Sequence, residues 1–137
     1  MIKYFSILFI IVISSCTLND YYWEIPEDIQ TIEQARDLMQ SFDYIRSSDW
    51  KLPDITYKNG SGGCTSLSGL FAYILKYKLN YADVKLIACE TAKGAGHMVA
   101  YADGSFYEGQ TGELVYNEYS LLYMISVEDY IKKTRYR

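Results

Sequence analysis

The sequence predicts an α+β fold in which a small antiparallel β-sheet packs on a buried helix. Three observations support this fold class: an apolar helical stripe begins at Cys64, strand-like segments follow it, and Asp103-Gly104 marks a tight turn between two of them. Helices followed by consecutive strands are typical of α+β domains. The chain has 137 residues, half of them hydrophobic, which is enough for one domain with a modest core.

Residues 1–15 have the features of an export signal. A short positive start precedes the apolar stretch YFSILFIIVI, which is too short to span a bilayer as a helix. Small residues then precede Cys16, as in a bacterial lipoprotein signal, and this resemblance implies cleavage before Cys16 and its lipidation. An ordinary signal peptide or an uncleaved anchor is the alternative. We assign 1–15 to a lipoprotein signal peptide, 16–27 to the lipidated cysteine and a tether, and 28–137 to the folded domain.

This assignment predicts the location of the protein. It would be exported and held on a bacterial membrane by the lipid on Cys16, in the periplasm or on the outer surface. Acyl chains on a terminal cysteine anchor a protein to a bilayer without spanning it.

The first predicted helix begins at Thr31, which has Gln34 at capping-box spacing. Apolar residues then recur at helical spacing, and we expect the helix to end near Ser47. Residues 49–63 contain proline, asparagine and several glycines and serines, so we interpret them as a loop.

The clearest predicted helix follows the glycine pair that precedes Cys64. Its apolar residues lie on one stripe, which comprises Leu67, Leu70, Phe71, Ile74 and Leu75. Cys64 lies on the same stripe in the first turn. A buried cysteine is most often a small apolar core residue, so this position alone leaves open whether Cys64 is a nucleophile.

Strands and a closing helix make up the second half of the chain. Residues 84–89 read as a buried strand, and Asp103-Gly104 between apolar and aromatic runs predicts a hairpin with a type I′ turn. Residues 116–126 predict a further strand. Ser126 then begins a short helix, with an acidic residue at capping-box spacing.

The hairpin turn predicts which residues face one another across the two strands. If Ala102 faces Ser105, the ladder continues until His97 faces Gln110, and directly opposed Cβ atoms lie about 5 Å apart. Glu108 would share that face one diagonal step away, at about 7–8 Å. The only histidine of the chain is therefore predicted to lie beside the amide of Gln110.

These residues are the ones that a Cys-His mechanism requires. A helix N-terminus and a neighbouring imidazolium both favour the thiolate of Cys64, and His97 can exchange a proton with the leaving group. A third group fixes the orientation of the imidazole. Gln110 is the predicted third residue, and Glu108 is the alternative. The backbone N–H of Cys64 would be one oxyanion donor.

The strings GGCTSLSGLFAYIL, NYADVKLIAC and GHMVAYADGSFYEGQTG occur in the order cysteine helix, strand, histidine strand. In this order they resemble the transglutaminase-like branch of the papain-like cysteine peptidase superfamily, over roughly residues 30–112. The resemblance implies a papain-like core with Cys64 and His97 as catalytic residues. The family usually has aspartate at the third position, where Gln110 stands.

The expected function is a cysteine hydrolase or acyl transferase that acts on a peptide or isopeptide bond through Cys64, His97 and Gln110. The substrate would be a peptide or protein, with cell-wall peptide as one candidate. Two alternatives stay open. An amide does not stabilise imidazolium as a carboxylate does, so the domain could be an inactive binding module; or Cys64 and Cys89 could form a structural disulfide.

Charge and motifs exclude several other classes of function. The net charge is −4 and no cluster of lysine and arginine is present, which argues against nucleic-acid binding. One histidine and three scattered cysteines do not form a CxxC-type zinc site. No cofactor is expected.

Overall fold

The computed structural model describes residues 21–136 of the chain. Its helices are α1 (Ile32–Gln40), α2 (Pro53–Asn59), α3 (Cys64–Tyr77) and α4 (Val127–Arg135). Its strands are β1 (Asp43–Tyr44), β2 (Ser61–Gly62), β3 (Val84–Glu90), β4 (Gly96–Ala102), β5 (Ser105–Tyr107) and β6 (Ser120–Ser126). The predicted signal peptide, the lipidation of Cys16 and most of the tether fall outside the described residues. Within residues 21–136, every helix is too short or too polar to cross a bilayer.

The main sheet has four strands in the order β5-β4-β3-β6, and each neighbouring pair is antiparallel. A separate, short parallel pair joins β1 to β2. Helix α3 packs on β4 and β3, and α2 and α4 flank it. The predicted α+β fold with an antiparallel sheet on the cysteine helix is therefore confirmed.

Helix α3 forms the centre of the core. All five residues of its predicted apolar stripe are fully buried, and burial of each large apolar side chain contributes about 1.5–3 kcal/mol. Gly69 lets α4 approach closely, because a Cβ there would lie 2.4 Å from the Tyr130 ring. The helix is thus covered on several sides and holds Cys64 at a fixed position.

The first helix is shorter than predicted. The capping box is present, since the Thr31 hydroxyl accepts from the Gln34 N–H at 3.2 Å and the Gln34 side chain accepts from the Thr31 N–H at 3.0 Å. The helix ends at Gln40, however, because the chain then turns to form β1. The expected end near Ser47 was wrong.

The segment 49–63, interpreted as a loop, contains helix α2. Pro53 is the first residue of this helix, where its missing N–H leaves no intrahelical bond unmade and its fixed φ suits the helix. Gly60 ends the helix in a left-handed conformation with φ of 65°. Pro53 and Gly60, which suggested a loop, are the first residue and the C-cap of this helix.

The predicted hairpin forms with the predicted register at its turn. Asp103 and Gly104 both have positive φ, 46° and 96°, as a type I′ turn requires. The strand partners are Ala102–Ser105, Tyr101–Phe106 and Ala100–Tyr107.

The ladder does not continue as far as His97, so the predicted pairing of His97 with Gln110 is wrong. Strand β5 ends at Tyr107, and the chain turns away from β4. The cause is a tertiary contact: Gly109 lies against α3, where a Cβ would come within 2.5 Å of the Ser68 Cα. Gln110 is exposed on the turn that follows.

The last strand and helix agree with the sequence in type. Strand β6 begins at Ser120, four residues later than the predicted segment 116–126. The closing helix α4 is capped as expected, because the Ser126 hydroxyl accepts from the Asp129 N–H at 3.0 Å.

Candidate active site

Cys64 is the first residue of helix α3, and its side chain is partly buried. Gly63 is the N-cap residue and carries no side-chain cap. A Cβ on Gly63 would lie 2.3 Å from the Ser47 carbonyl oxygen, so glycine is needed for the preceding segment to cross the helix start. The thiol therefore lies where backbone N–H groups and the helix dipole favour negative charge.

His97 lies near the start of β4, and its Nε2 is 2.7 Å from Oε2 of Glu108. Cys64 and His97 line the same groove, and each shifts the pKa of the other. Since Nε2 is bound to the carboxylate, Nδ1 is the nitrogen available to sulfur. Cys64, His97 and Glu108 thus form one interacting group, in which His97 and Glu108 are hydrogen-bonded.

The electrostatics of this chain favour a thiolate–imidazolium pair. Hydrogen bonds with Cys64 and Glu108 outweigh burial and raise the pKa of His97 to about 9. Burial alone would raise the pKa of the Cys64 thiol, but hydrogen bonds from His97 and the Met98 backbone bring it below its ordinary value. Both shifts favour charge on the two partners at neutral pH.

Glu108 has a second partner that the sequence did not indicate. Burial raises the pKa of this carboxyl, but the hydrogen bonds from His97 and Tyr119 lower it by more. The Tyr119 hydroxyl donates to Oε1 of Glu108 at 2.6 Å, and its ring centroid lies 5.2 Å from that of His97. Tyr119 and His97 therefore each bind one oxygen of the Glu108 carboxylate.

The structure brings together Cys64, His97 and the alternative third residue, Glu108. It does not bring Gln110 to the imidazole. Gln110 was favoured because regular pairing was extended past Tyr107, whereas the turn after Tyr107 moves Glu108 from a diagonal position into contact with His97. The catalytic roles of these residues stay predictions.

The second cysteine of the domain lies beside the site. Cys89 is directly opposite His97 in the β3–β4 ladder, and its thiol donates to the His97 carbonyl oxygen at 3.6 Å. Cys89 is buried, and burial raises its pKa to about 11. Cys64 and Cys89 are both free thiols in this structure, so the alternative disulfide is not formed.

A groove of about 680 Å³ gives access to Cys64 and His97. Its lining includes residues of the segment 44–50, which crosses the start of α3, and Leu122 and Tyr123 of β6. A separate cavity of about 810 Å³ lies between the segment 21–27 and α4 and includes neither Cys64 nor His97. Over residues 21–136, no group of three or more His, Cys, Asp or Glu side chains is placed to hold a metal ion.

The fold is transglutaminase-like, as the sequence resemblance implied. The solved structures similar to it include Legionella pneumophila LapG, with a TM-score of 0.60, 15% identity, and coverage of 75% of this chain and 67% of that one. Calcium-bound LapG gives a TM-score of 0.59 at 15% identity over the same shares. EGTA-treated LapG gives 0.58 at 13% identity, covering 75% of this chain and 65% of that one.

The chain spans about two thirds of the length of these LapG structures. At this level of identity, the likeness establishes the fold. No protein-family model matches the sequence, and no curated protein matches it.

Proposed function

We propose that this protein is a cysteine hydrolase that cleaves an amide bond of a peptide or protein. The observation that carries the proposal is Cys64 at the N-terminus of a buried helix, on one groove with His97, which is hydrogen-bonded to Glu108. The transglutaminase-like fold is consistent with the same chemistry.

In the first step, the Cys64 thiolate attacks the carbonyl carbon of the substrate amide. A C–S bond forms, and the carbonyl oxygen takes up the negative charge near the backbone N–H of Cys64. The tetrahedral intermediate collapses as its C–N bond breaks. Protonated His97 gives its proton to the leaving amine, which leaves a thioester on Cys64 and a neutral imidazole.

In the second step, His97 takes a proton from water, and the resulting hydroxide adds to the thioester carbon. The C–S bond breaks, a carboxylic acid leaves, and the thiolate–imidazolium pair is restored. An amine in place of water would give acyl transfer by the same route. Glu108 stabilises the imidazolium throughout, because its carboxylate accepts the Nε2 proton in a hydrogen bond without removing it.

The contact with Glu108 bears on the alternative of an inactive binding module. That alternative depended on an amide at the third position, which orients imidazole but does not stabilise its charge. The residue in contact with His97 is a carboxylate, with a pKa below its ordinary value. This favours the enzyme over the inactive module.

Export and tethering through Cys16 remain part of the proposal and rest on the signal-like residues 1–15. Cell-wall peptides and surface proteins are then the accessible substrates. Partitioning between a detergent phase and water tests the lipid anchor. The wild-type protein should enter the detergent phase, and Cys16→Ser should stay in the aqueous phase. Equal partitioning of the two proteins would contradict lipidation.

The proposed activity is tested by incubating the protein with a proteome-derived peptide mixture in H₂¹⁸O. New carboxyl termini that carry one ¹⁸O should appear with the wild type and be absent with Cys64→Ala. Added methylamine would give N-methyl amides at the same positions if acyl transfer competes with hydrolysis. Absence of any Cys64-dependent cleavage would contradict the proposal.

A further inference from the structure

Strand β6 presents an unusual apolar surface to solvent. Four consecutive side chains are largely exposed: Leu121 by 60%, Leu122 by 56%, Tyr123 by 46% and Met124 by 55%. Isolated exposed apolar residues are ordinary, but a contiguous run of this kind marks an interaction surface.

This strand also lies at the edge of the sheet. Among the described residues, β6 pairs with β3 and has no strand on its other side. The segment Ser120–Ser126 contains no charged residue and no proline, the devices that commonly keep edge strands from pairing. Its outer backbone N–H and C=O groups can therefore accept another extended chain.

An irregularity in β6 connects this edge to the candidate active site. The pairing with β3 shifts between Ala88 and Cys89, so that Tyr123 pairs with Ala88, Leu121 pairs with Cys89, and Leu122 is the extra residue. Such bulges redirect side chains and are common beside active sites. Here Leu122 and Tyr123 both line the groove that contains Cys64 and His97.

We propose that the substrate binds as an extended, apolar stretch of polypeptide that adds to the free edge of β6 as a further strand. Its side chains contact Leu122 and Tyr123, and its continuation along the groove brings an amide bond to Cys64. This inference rests on the proposed function and narrows its substrate to extended segments of a protein or long peptide.

The shared groove favours substrate over a second copy of the chain as the occupant of this edge. A strand of seven residues is about 23 Å long, so a bound segment can extend from β6 into the site. Because Leu122 and Tyr123 belong both to the apolar edge and to the lining of the groove, one ligand can contact both. Strand addition would supply main-chain hydrogen bonds, and the apolar side chains would supply selectivity.

The test compares three reagents for Cys64 in the purified protein. The labelling rate with iodoacetamide measures the reactivity of the thiolate alone. A short probe, alanyl vinyl sulfone, also makes contacts within the groove. A long probe, acetyl-Leu-Val-Leu-Val-Ala vinyl sulfone, can in addition bind along the free edge of β6. In the wild type, the long probe should label Cys64 at least about tenfold faster than the short one, the effect expected from one buried leucine-sized contact.

The decisive variant is Leu122→Lys, with Leu122→Ser as a second variant without added charge. Either should remove most of the advantage of the long probe over the short one, measured as the ratio of the two labelling rates within each variant. Iodoacetamide labelling of Cys64 that stays faster than that of Cys89 shows that the site is folded. Ile55→Lys is the matched control, because Ile55 is an exposed apolar residue on α2, away from the groove. It should retain the advantage in full.

Two results would overturn the inference while leaving the proposed function intact. One is a long-probe advantage that is unchanged in both Leu122 variants. The other is a dimer, seen by sedimentation, that Leu122→Lys dissociates without slowing the long probe, since the edge would then belong to a second copy. If iodoacetamide labels Cys64 no faster than Cys89, the proposed function fails as well, and the inference fails with it.

Discussion

Among the groups that contact His97, Glu108 is the one on which the proposed mechanism depends most. One of its carboxylate oxygens contacts His97 and the other accepts from Tyr119. A glutamine at position 108 would keep the shape but lose the charge, and its amide group could present either N–H or oxygen to the imidazole. In the proposed mechanism, an active site therefore requires the charge of Glu108 as well as its position.

Replacement of Glu108 by glutamine should therefore lower kcat/KM for amide hydrolysis by roughly 10²-fold or more, as expected for loss of a group that supports acid–base catalysis. Gln110→Ala is the matched control and should leave kcat/KM unchanged, because Gln110 is exposed on the turn. Steady-state kinetics on a cleaved peptide measures both. An equal loss in the two variants, or a loss confined to Gln110→Ala, would contradict the assignment of Glu108 as the third residue.

Tyr119 is a positioning residue that acts through Glu108. Tyr119→Phe removes the hydroxyl that helps to lower the pKa of Glu108 and leaves the ring beside His97. The acidic limb of the pH–rate profile should shift to higher pH, and the rate at neutral pH should fall by about tenfold, since a hydrogen bond to a charged group contributes about 1.5–3 kcal/mol. An unchanged acidic limb with a lower melting temperature would indicate a structural role alone.

At the level of secondary structure elements, the sequence predicts the features that residues close together in the chain determine. The stripe from Leu67 to Leu75 predicts α3, and the Asp103-Gly104 pair predicts the hairpin and its register at the turn. The sequence does not show that β5 ends at Tyr107, because the end of this strand depends on a contact with α3. A prediction that continues the regular strand pairing past Tyr107 is therefore wrong. The same contact decides whether residue 108 or 110 reaches His97.

Tyr119 could not be recognised in advance for a related reason. It lies in the irregular segment before β6, one of fifteen tyrosines in the chain, and no spacing relates it to His97. Only the folded arrangement brings its hydroxyl to the carboxylate. Local patterns thus point to Cys64 and His97 as candidate catalytic residues, while tertiary packing selects the groups that contact His97.

The contact that ends β5 gives a test at this scale. In Gly109→Ala, the new Cβ would meet the Ser68 Oγ at 2.3 Å and its backbone at 2.5 Å, which backbone movement must relieve. We expect a loss of about 1–3 kcal/mol in unfolding free energy and slower alkylation of Cys64, because Glu108 is displaced from His97. Urea unfolding and iodoacetamide labelling measure the two effects.

Gly96→Ala is the control for that substitution, since a Cβ at Gly96 would have nothing within 4 Å. It should change the unfolding free energy by less than about 0.5 kcal/mol. If Gly109→Ala changes the unfolding free energy and the alkylation of Cys64 as little as Gly96→Ala does, the contact with α3 does not determine where β5 ends.

At the scale of the whole molecule, the transglutaminase-like fold places a helix N-terminus, a strand end and a turn around one groove. Cys64 belongs to α3, His97 to β4, and Glu108 to the turn after β5. Because these parts are distant in sequence, the site forms only when the domain folds. Ionisation at the site is therefore linked to global stability.

This linkage predicts how the stability contribution of Glu108 varies with pH. The folded-state pKa of Glu108 is below its ordinary value of 4.5, so its carboxylate stabilises the fold above about pH 4.5, and that contribution is lost as pH falls through the folded-state pKa. The unfolding free energy of the wild type should exceed that of Glu108→Gln at pH 6, and the difference should shrink in acid. If the difference in unfolding free energy between the two proteins grows in acid, the prediction is contradicted.

The most direct test of the Cys64–His97 pair is the pH dependence of iodoacetamide labelling, followed at each cysteine by mass spectrometry. In the wild type, Cys64 should label with a midpoint below its ordinary pKa of 9.0, while Cys89, with a pKa of about 11, serves as the internal control and labels only in strong base. In His97→Ala, burial still raises the pKa of Cys64 but His97 no longer lowers it, so the midpoint should move to higher pH than in the wild type. Matching profiles for Cys64 and Cys89, or a Cys64 midpoint that is unchanged without His97, would contradict a thiolate–imidazolium pair.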